Sequence, residues 1–172
     1  MRRIRYSVAM SLDGFIAGPN GEADWITMEP DFDFGALFSQ FDTVLVGRKT
    51  FQVMAASGRG QMPGMKTVVL SRTLRQADYA DVQIVAENPL ETVAALRAEE
   101  GKDIWLLGGG VLFRSLAEEG LVDTVEVSIV PTILGAGIAL APLPTRRIGL
   151  TLTGQRIYNS GLVSLEYSVA RS

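Results

Sequence analysis

Three consecutive glycines, Gly108, Gly109 and Gly110, follow directly on the apolar run Ile104 to Leu107 and precede a helix-like stretch. Two uses compete for a backbone this bare. One is a tight strand-to-helix turn, since glycine reaches dihedral angles closed to other residues. The other is a phosphate cradle, in which backbone N–H groups at a helix N-terminus point at an anion. Two further strand ends carry anion donors. "GRKTF" sets Gly47, the cations Arg48 and Lys49 and the hydroxyl of Thr50 at a helix start, and Ser71, Arg72 and Thr73 repeat the pairing of hydroxyl and guanidinium. Read singly, each is a solvated turn, with Thr50 as an N-cap. Together, three strand ends offering anion donors point to a phosphate-bearing ligand. The glycines match neither G-x-x-x-x-G-K-[ST] nor G-x-G-x-x-G followed by an acid, which disfavours a kinase or an ordinary Rossmann dehydrogenase.

Composition narrows the chemistry further. The chain of 172 residues contains no Cys and no His, which excludes a structural zinc site, a thiol nucleophile and every imidazole-dependent triad. No metal is expected. A formal charge of −3 without a basic stripe argues against nucleic acid as a partner. The length is that of about one domain, residues 1–172, enough to bury a full core. No run approaches the ~18 apolar residues of a membrane span, and "MRRIRYSVAM" alternates instead of forming a signal-peptide core. The expectation is a cytoplasmic protein with a small-molecule ligand and no membrane partner.

The elements that must position these groups are legible in the hydrophobic pattern. Ile4, Tyr6, Val8 and Met10 alternate with Arg5, Ser7, Ala9 and Ser11, the period of a two-faced strand. The solid apolar runs Thr43 to Val46, Thr67 to Leu70, Val82 to Ala86 and Ile104 to Leu107 suit strands covered on both faces. Helices are predicted between them, over Phe32 to Gln40, Thr50 to Ala56, a segment opened by an Asn88–Glu91 capping box with Pro89 at its first position and stopped at Gly101, and Val111 to Glu119 with Gly120 as terminator. Val125 to Val130 is a further strand, and Leu150 to Tyr158 pairs with Leu162 to Val169 around "NSG". Strands alternating with helices predict an open, mostly parallel α/β sheet with an antiparallel C-terminal hairpin. In such sheets ligands sit at the carboxyl ends of the strands, where the glycines and cations lie.

The succession "VAMSLDGFIAG", "DWIT", "DTVLVGRKTF", "VVLSRT", "LLGGGVLFRSL", "GLVDTVEVSIVPTILGAG" and "SGLVSLEY" resembles the dihydrofolate-reductase-like superfamily, and within it the branch holding the reductase domain of the bifunctional riboflavin-biosynthesis enzyme. The resemblance runs from Arg5 to Tyr167. It implies a central sheet of about eight strands with helices on both faces, and NADPH laid across the strand ends. Gly47, Arg48, Lys49 and Thr50 would then hold cofactor phosphates, and Leu70, Ser71 and Arg72 the adenosine end. Gly108, Gly109 and Gly110 would let the backbone approach the nicotinamide and ribose, and the amides of Val111, Leu112 and Phe113 would receive the pyrophosphate. Ala9 and Ile16 would border the cofactor as well.

The implied activity is hydride transfer to a C=N-type bond of a pterin or ribosylamino-pyrimidine. That reaction needs a proton at nitrogen, and without histidine the donor is a carboxylic acid, a water or the substrate itself. Asp13 matches an acid of the riboflavin-type reductases, with turn formation as its alternative use. Asp33 and Asp31 lie about where dihydrofolate reductases carry the acid that steers the pterin, and "PDFDF" leaves helix capping open for both. Trp25 and Thr27, in "WIT", and Leu134, in "PTILGAG", would border the substrate. The branch also implies a homodimer. A non-catalytic NADP(H)-binding protein of the same fold and a flavodoxin-like module remain as alternatives.

Overall fold

A computed structural model of the chain describes residues 1–142 and 147–170. Its centre is an eight-stranded sheet built from β1 (Ile4–Ser11), β3 (Phe41–Gly47), β4 (Lys66–Leu70), β5 (Gln83–Val85), β6 (Asp103–Gly108), β7 (Thr124–Val130), β9 (Leu150–Ile157) and β10 (Val163–Val169). The spatial order is β5-β4-β3-β6-β1-β7-β10-β9. All neighbours are parallel as far as β7, and β10 pairs antiparallel with both β7 and β9. This is the mixed sheet expected from the sequence. Two short strands escape the sequence reading: β2 (Phe15–Ala17) and β8 (Ile138–Ala139) pair antiparallel as a separate small ribbon. At three and two residues they are too short to show a period.

Alternation along β1 assigns the two faces. Ile4 and Tyr6 are fully buried in a core with Leu106, Val125 and Val127, closed by Val93 and Leu96 of α3 (Pro89–Ala98) and by Phe113 and Leu116 of α4 (Gly110–Glu118). The opposite face buries Val44, Val46, Val69 and Trp105 beneath Leu37 and Phe38 of α1 (Phe34–Phe38) and Phe51 of α2 (Arg48–Ala56). Burying one fully exposed Leu or Phe side chain is worth about 1.5 to 3 kcal/mol, so helices short on intrinsic stability are held by these contacts. None of the helices in the described residues is long and apolar enough to cross a membrane.

Helix boundaries differ from the sequence reading in instructive ways. α1 spans five residues, not nine, because the Asp33 carboxylate accepts from the Ala36 N–H at 2.8 Å and so starts the helix after Phe32. α2 begins at Arg48 with Gly47 as N-cap, so Thr50 lies inside the first turn and caps nothing. The Asn88–Glu91 capping box is absent, since Asn88 is left-handed at φ 46° and makes no side-chain cap bond. α3 ends at Ala98, ahead of Gly101. Gly120 does terminate α4, at φ +66°, with the Leu121 N–H returning to the Leu116 carbonyl.

Candidate active site

The ends of β4, β3, β6 and β1 lie side by side, because Gly47 is in register with Leu70 and Val46 with Gly108. "GRKTF", "SRT" and the three glycines are thereby brought to one cleft. The glycines divide their work. Gly108 holds φ +137°, which other residues rarely adopt. A side chain at Gly110 would place its Cβ 2.4 Å from the Ala139 carbonyl oxygen, so that glycine serves packing. Gly109 needs glycine for neither reason. Its φ is −92°, and a Cβ there would meet only the Thr50 hydroxyl at 3.5 Å, an ordinary contact, and otherwise project into open cleft.

Two helix N-termini close on this ledge. Neither α2 nor α4 has a side-chain cap or an acidic residue in its first turn, so their free N–H groups and positive dipole ends are uncompensated. At α4 the Phe113 N–H is already spent on the Gly109 carbonyl at 3.0 Å, and its ring is buried against Tyr6 at 4.1 Å between centroids. The open donors are therefore those of Gly110, Val111 and Leu112, a shift of one residue from the sequence mapping. Arg48, Lys49 and Arg72 are all exposed and in no ion pair among the described residues. Arg48 reaches the Gln52 side-chain oxygen at 3.5 Å. Ser71 is buried and shapes the turn, its Oγ accepting from the N–H groups of Thr73 and Leu74.

The far wall is the β2–β8 ribbon with Ile16 and the segment around Leu134. Asp13 ties the two together: its carboxylate accepts from the N–H groups of Leu134 at 3.1 Å and Gly135 at 2.8 Å. The Ser11 hydroxyl and these amides hold its pKa below the usual carboxylate value. Asp13 is thus kept as an anion that anchors a loop, an arrangement poorly suited to donating a proton.

Beside the glycine ledge, a cavity of about 150 Å³ opens between α1 and the face of β1 and β6, bordered by Ser7, Ala9, Thr27, Trp105 and Ser128. Its one charged lining residue is Glu29, which is 6% exposed. One Glu29 oxygen accepts from the Asp31 N–H at 3.2 Å and the other from the Ser160 hydroxyl. The sequence reading passed over Glu29. Of the residues it did single out, Thr27 and Ala9 reach this cavity, while Asp31 is exposed and touches it only by positioning Glu29. Trp25 turns away, packing on Val130, Tyr158 and Leu162 and donating to the Glu22 carbonyl at 3.1 Å. Asp33 faces a larger trough that adjoins this cavity and is occupied as the α1 cap.

Strand order, the antiparallel C-terminal strands and a cleft across the parallel strand ends define a dihydrofolate-reductase-like α/β protein. The chain belongs to the RibD C-terminal domain family, whose model matches residues 2–163. It is 38% identical to the uncharacterized protein YyaP of Bacillus subtilis, over 96% of this chain and 94% of that one. Among solved structures it shares its fold with dihydrofolate reductase from Enterococcus faecalis complexed with NADP(H), at TM-score 0.72 and 18% identity over 98% of this chain and 97% of that one. It likewise matches a diaminohydroxyphosphoribosylaminopyrimidine deaminase/5-amino-6-(5-phosphoribosylamino)uracil reductase from Thermotoga maritima, at TM-score 0.73 and 15% identity over 98% of this chain and 57% of that longer one.

Proposed function

We propose that the protein is an NADPH-dependent reductase that delivers hydride to a C=N-type bond of a small heteroaromatic substrate, pterin or aminopyrimidine in kind. The observation that carries this reading is Gly109, whose bareness is required neither by its φ nor by a Cβ clash and opens onto uncapped helix ends and unpaired cations. Those features fit a dinucleotide. The N–H groups of Gly110, Val111 and Leu112 would hold its pyrophosphate, and Arg48, Lys49 and Arg72 its remaining phosphate. When bound, NADPH supplies the hydride. Ala9 and Gly108 would border its nicotinamide, and the cavity at Glu29 would receive the ring to be reduced.

Glu29 then takes the part first read at Asp13 or Asp33. Its two oxygens accept bonds from Ser160 and Asp31, which fixes the carboxyl group in orientation, and burial keeps bulk water from competing for the substrate's N–H donors. A carboxyl group so placed can orient the ring and hold the proton that nitrogen requires. The apolar part of the cavity, from Trp105 and Phe38, covers a flat ring face.

Consumption of NADPH on addition of dihydrofolate or 5-amino-6-ribosylaminouracil tests the proposal. Turnover of either substrate supports it. Tight cofactor binding with no turnover of either would favour a non-catalytic NADP(H)-binding protein.

A further inference from the structure

The cleft's charges are divided sharply between its two ends. Arg48, Lys49 and Arg72 stand unpaired at the cofactor end, whereas among the described residues the substrate cavity is lined by one carboxylate, Glu29, and no cation. Resting on the reductase reading, we infer that the site takes an unphosphorylated heterocycle, and that it discriminates against the phosphoribosyl form named for the Thermotoga maritima relative.

A substrate phosphate would have to leave the cavity and find a cation along its continuation. That continuation is a trough of about 940 Å³ on the open face of β1, β7, β10 and β9, which shares Ser7, Phe32, Leu37 and Ser128 with the cavity. Its arginines are mostly committed. Arg5 is 6% exposed and grips Glu126 through two bonds of 2.7 and 2.8 Å, with Gln40 at 2.6 Å and Asp103 at 3.3 Å. Arg3 is bonded to Asp103 at 2.5 Å. Arg156 lies over the Tyr158 ring, 4.6 Å from its centroid. Of the trough's four carboxylates, Glu126 is held by Arg5 and Asp123 by Arg97, while Asp33 and Glu166, both exposed, are in no ion pair among the described residues. A dianion placed here would find Arg3 and Arg5 already paired and would meet, among the described residues, two unpaired carboxylates against one unpaired cation, Arg156. The rest of the trough is hydroxyl-bearing, with Ser7, Thr124, Ser128, Ser164 and Ser168 on one face of the sheet. Such a surface hydrogen-bonds a neutral ribosyl or polyol tail without demanding a counter-charge.

The test is a matched pair: 5-amino-6-ribosylaminouracil and the same compound carrying its 5-phosphate, titrated calorimetrically into the protein with and without saturating NADPH. The unphosphorylated member is expected to bind more tightly by about tenfold or more. Equal or tighter binding of the phosphorylated member overturns the inference, and so does binding of neither. Glu166→Gln, which removes one of the two unpaired carboxylates of the trough, is expected to shrink the difference by roughly twofold or more, while Glu166→Asp keeps it. An unchanged difference in Glu166→Gln would show that the trough's charge is not its source and overturn the assignment. Failure of the protein to bind NADPH would remove the reductase reading instead, and the cofactor-free titration would still decide the pocket's preference.

Discussion

Glu29 and Asp13 show how two carboxylates of one cleft are given different tasks by their neighbours. Glu29 is buried and faces the cavity between α1 and the sheet, whereas Asp13 is exposed and accepts from two backbone donors. Glu29→Gln is therefore expected to lower kcat by about a hundredfold or more while NADPH affinity stays within a few fold. Asp13→Asn keeps one acceptor oxygen for the loop and is expected to cost less than about tenfold; steady-state kinetics with cofactor titration separates the two, and the reverse ranking would restore Asp13 as the acid. Because the Ser11 bond and the amides lower the Asp13 pKa, its anchoring is complete above the ordinary carboxylate pKa. It is lost only as pH falls through the lowered folded value, so it contributes no titration to the neutral-pH rate profile. Asp13 stood out in the sequence through its place after a strand. Glu29 did not, because its burial depends on Ser160, 131 positions away, and nothing in "MEPDFD" tells an inward carboxylate from its capping neighbours.

At the scale of elements, the cleft is made by ends rather than by bodies: the starts of α2 and α4 and the carboxyl ends of the four parallel strands β4, β3, β6 and β1. These were readable because apolar runs, glycines and cations fall in consecutive order along the chain. The exact start of α2 was not, since Gly47 caps without a side chain and leaves no residue signal. The β2–β8 ribbon was also hidden, each strand being defined only by its distant partner. With Arg48 and Lys49 opening α2 and Arg72 on the next strand end, charge and helix dipole favour the cofactor with the extra phosphate. Both guanidiniums are exposed, so screening reduces each contribution to about 1 to 2 kcal/mol, or roughly five- to thirtyfold. Arg48→Ala combined with Arg72→Ala is expected to erase most of the NADPH over NADH preference and to leave NADH affinity nearly unchanged. Parallel titrations at low and high salt check it, and an unchanged affinity ratio would leave these cations without that role.

For the whole molecule, the mostly parallel sheet, its antiparallel C-terminal hairpin and the apolar faces follow from the alternation and the apolar runs, while the strand order and the unequal sheet edges could be seen only after folding. β5 closes one edge with three residues, but β9 leaves eight largely exposed residues on the other, including Leu150, Leu152 and Ile157. An edge of that length invites pairing, and we propose that the homodimer implied by the sequence forms along β9. Sedimentation should then show a dimer at micromolar concentration that Leu152→Lys shifts toward monomer, whereas a monomeric parent chain would contradict it. Stability toward acid belongs to the same scale. Burial raises the Asp103 pKa, but the bonds and charges of Arg3 and Arg5 outweigh it and leave the group below its usual value. The stabilisation is present above the unfolded carboxylate pKa and is lost as pH falls through the lowered folded one. Asp103→Asn should accordingly lower Tm at neutral pH and flatten its fall in acid, as thermal melts across pH would show. The central claim, that the bare glycine ledge is a cofactor cradle, is tested most directly by calorimetric titration of NADPH into the parent protein and into Gly109→Val. A Cβ at Gly109 meets only the Thr50 hydroxyl, at ordinary contact distance, so the variant should keep its circular dichroism and melting cooperativity while NADPH affinity falls by about a hundredfold or more. A folded Gly109→Val protein that binds NADPH as tightly as the parent would contradict the account.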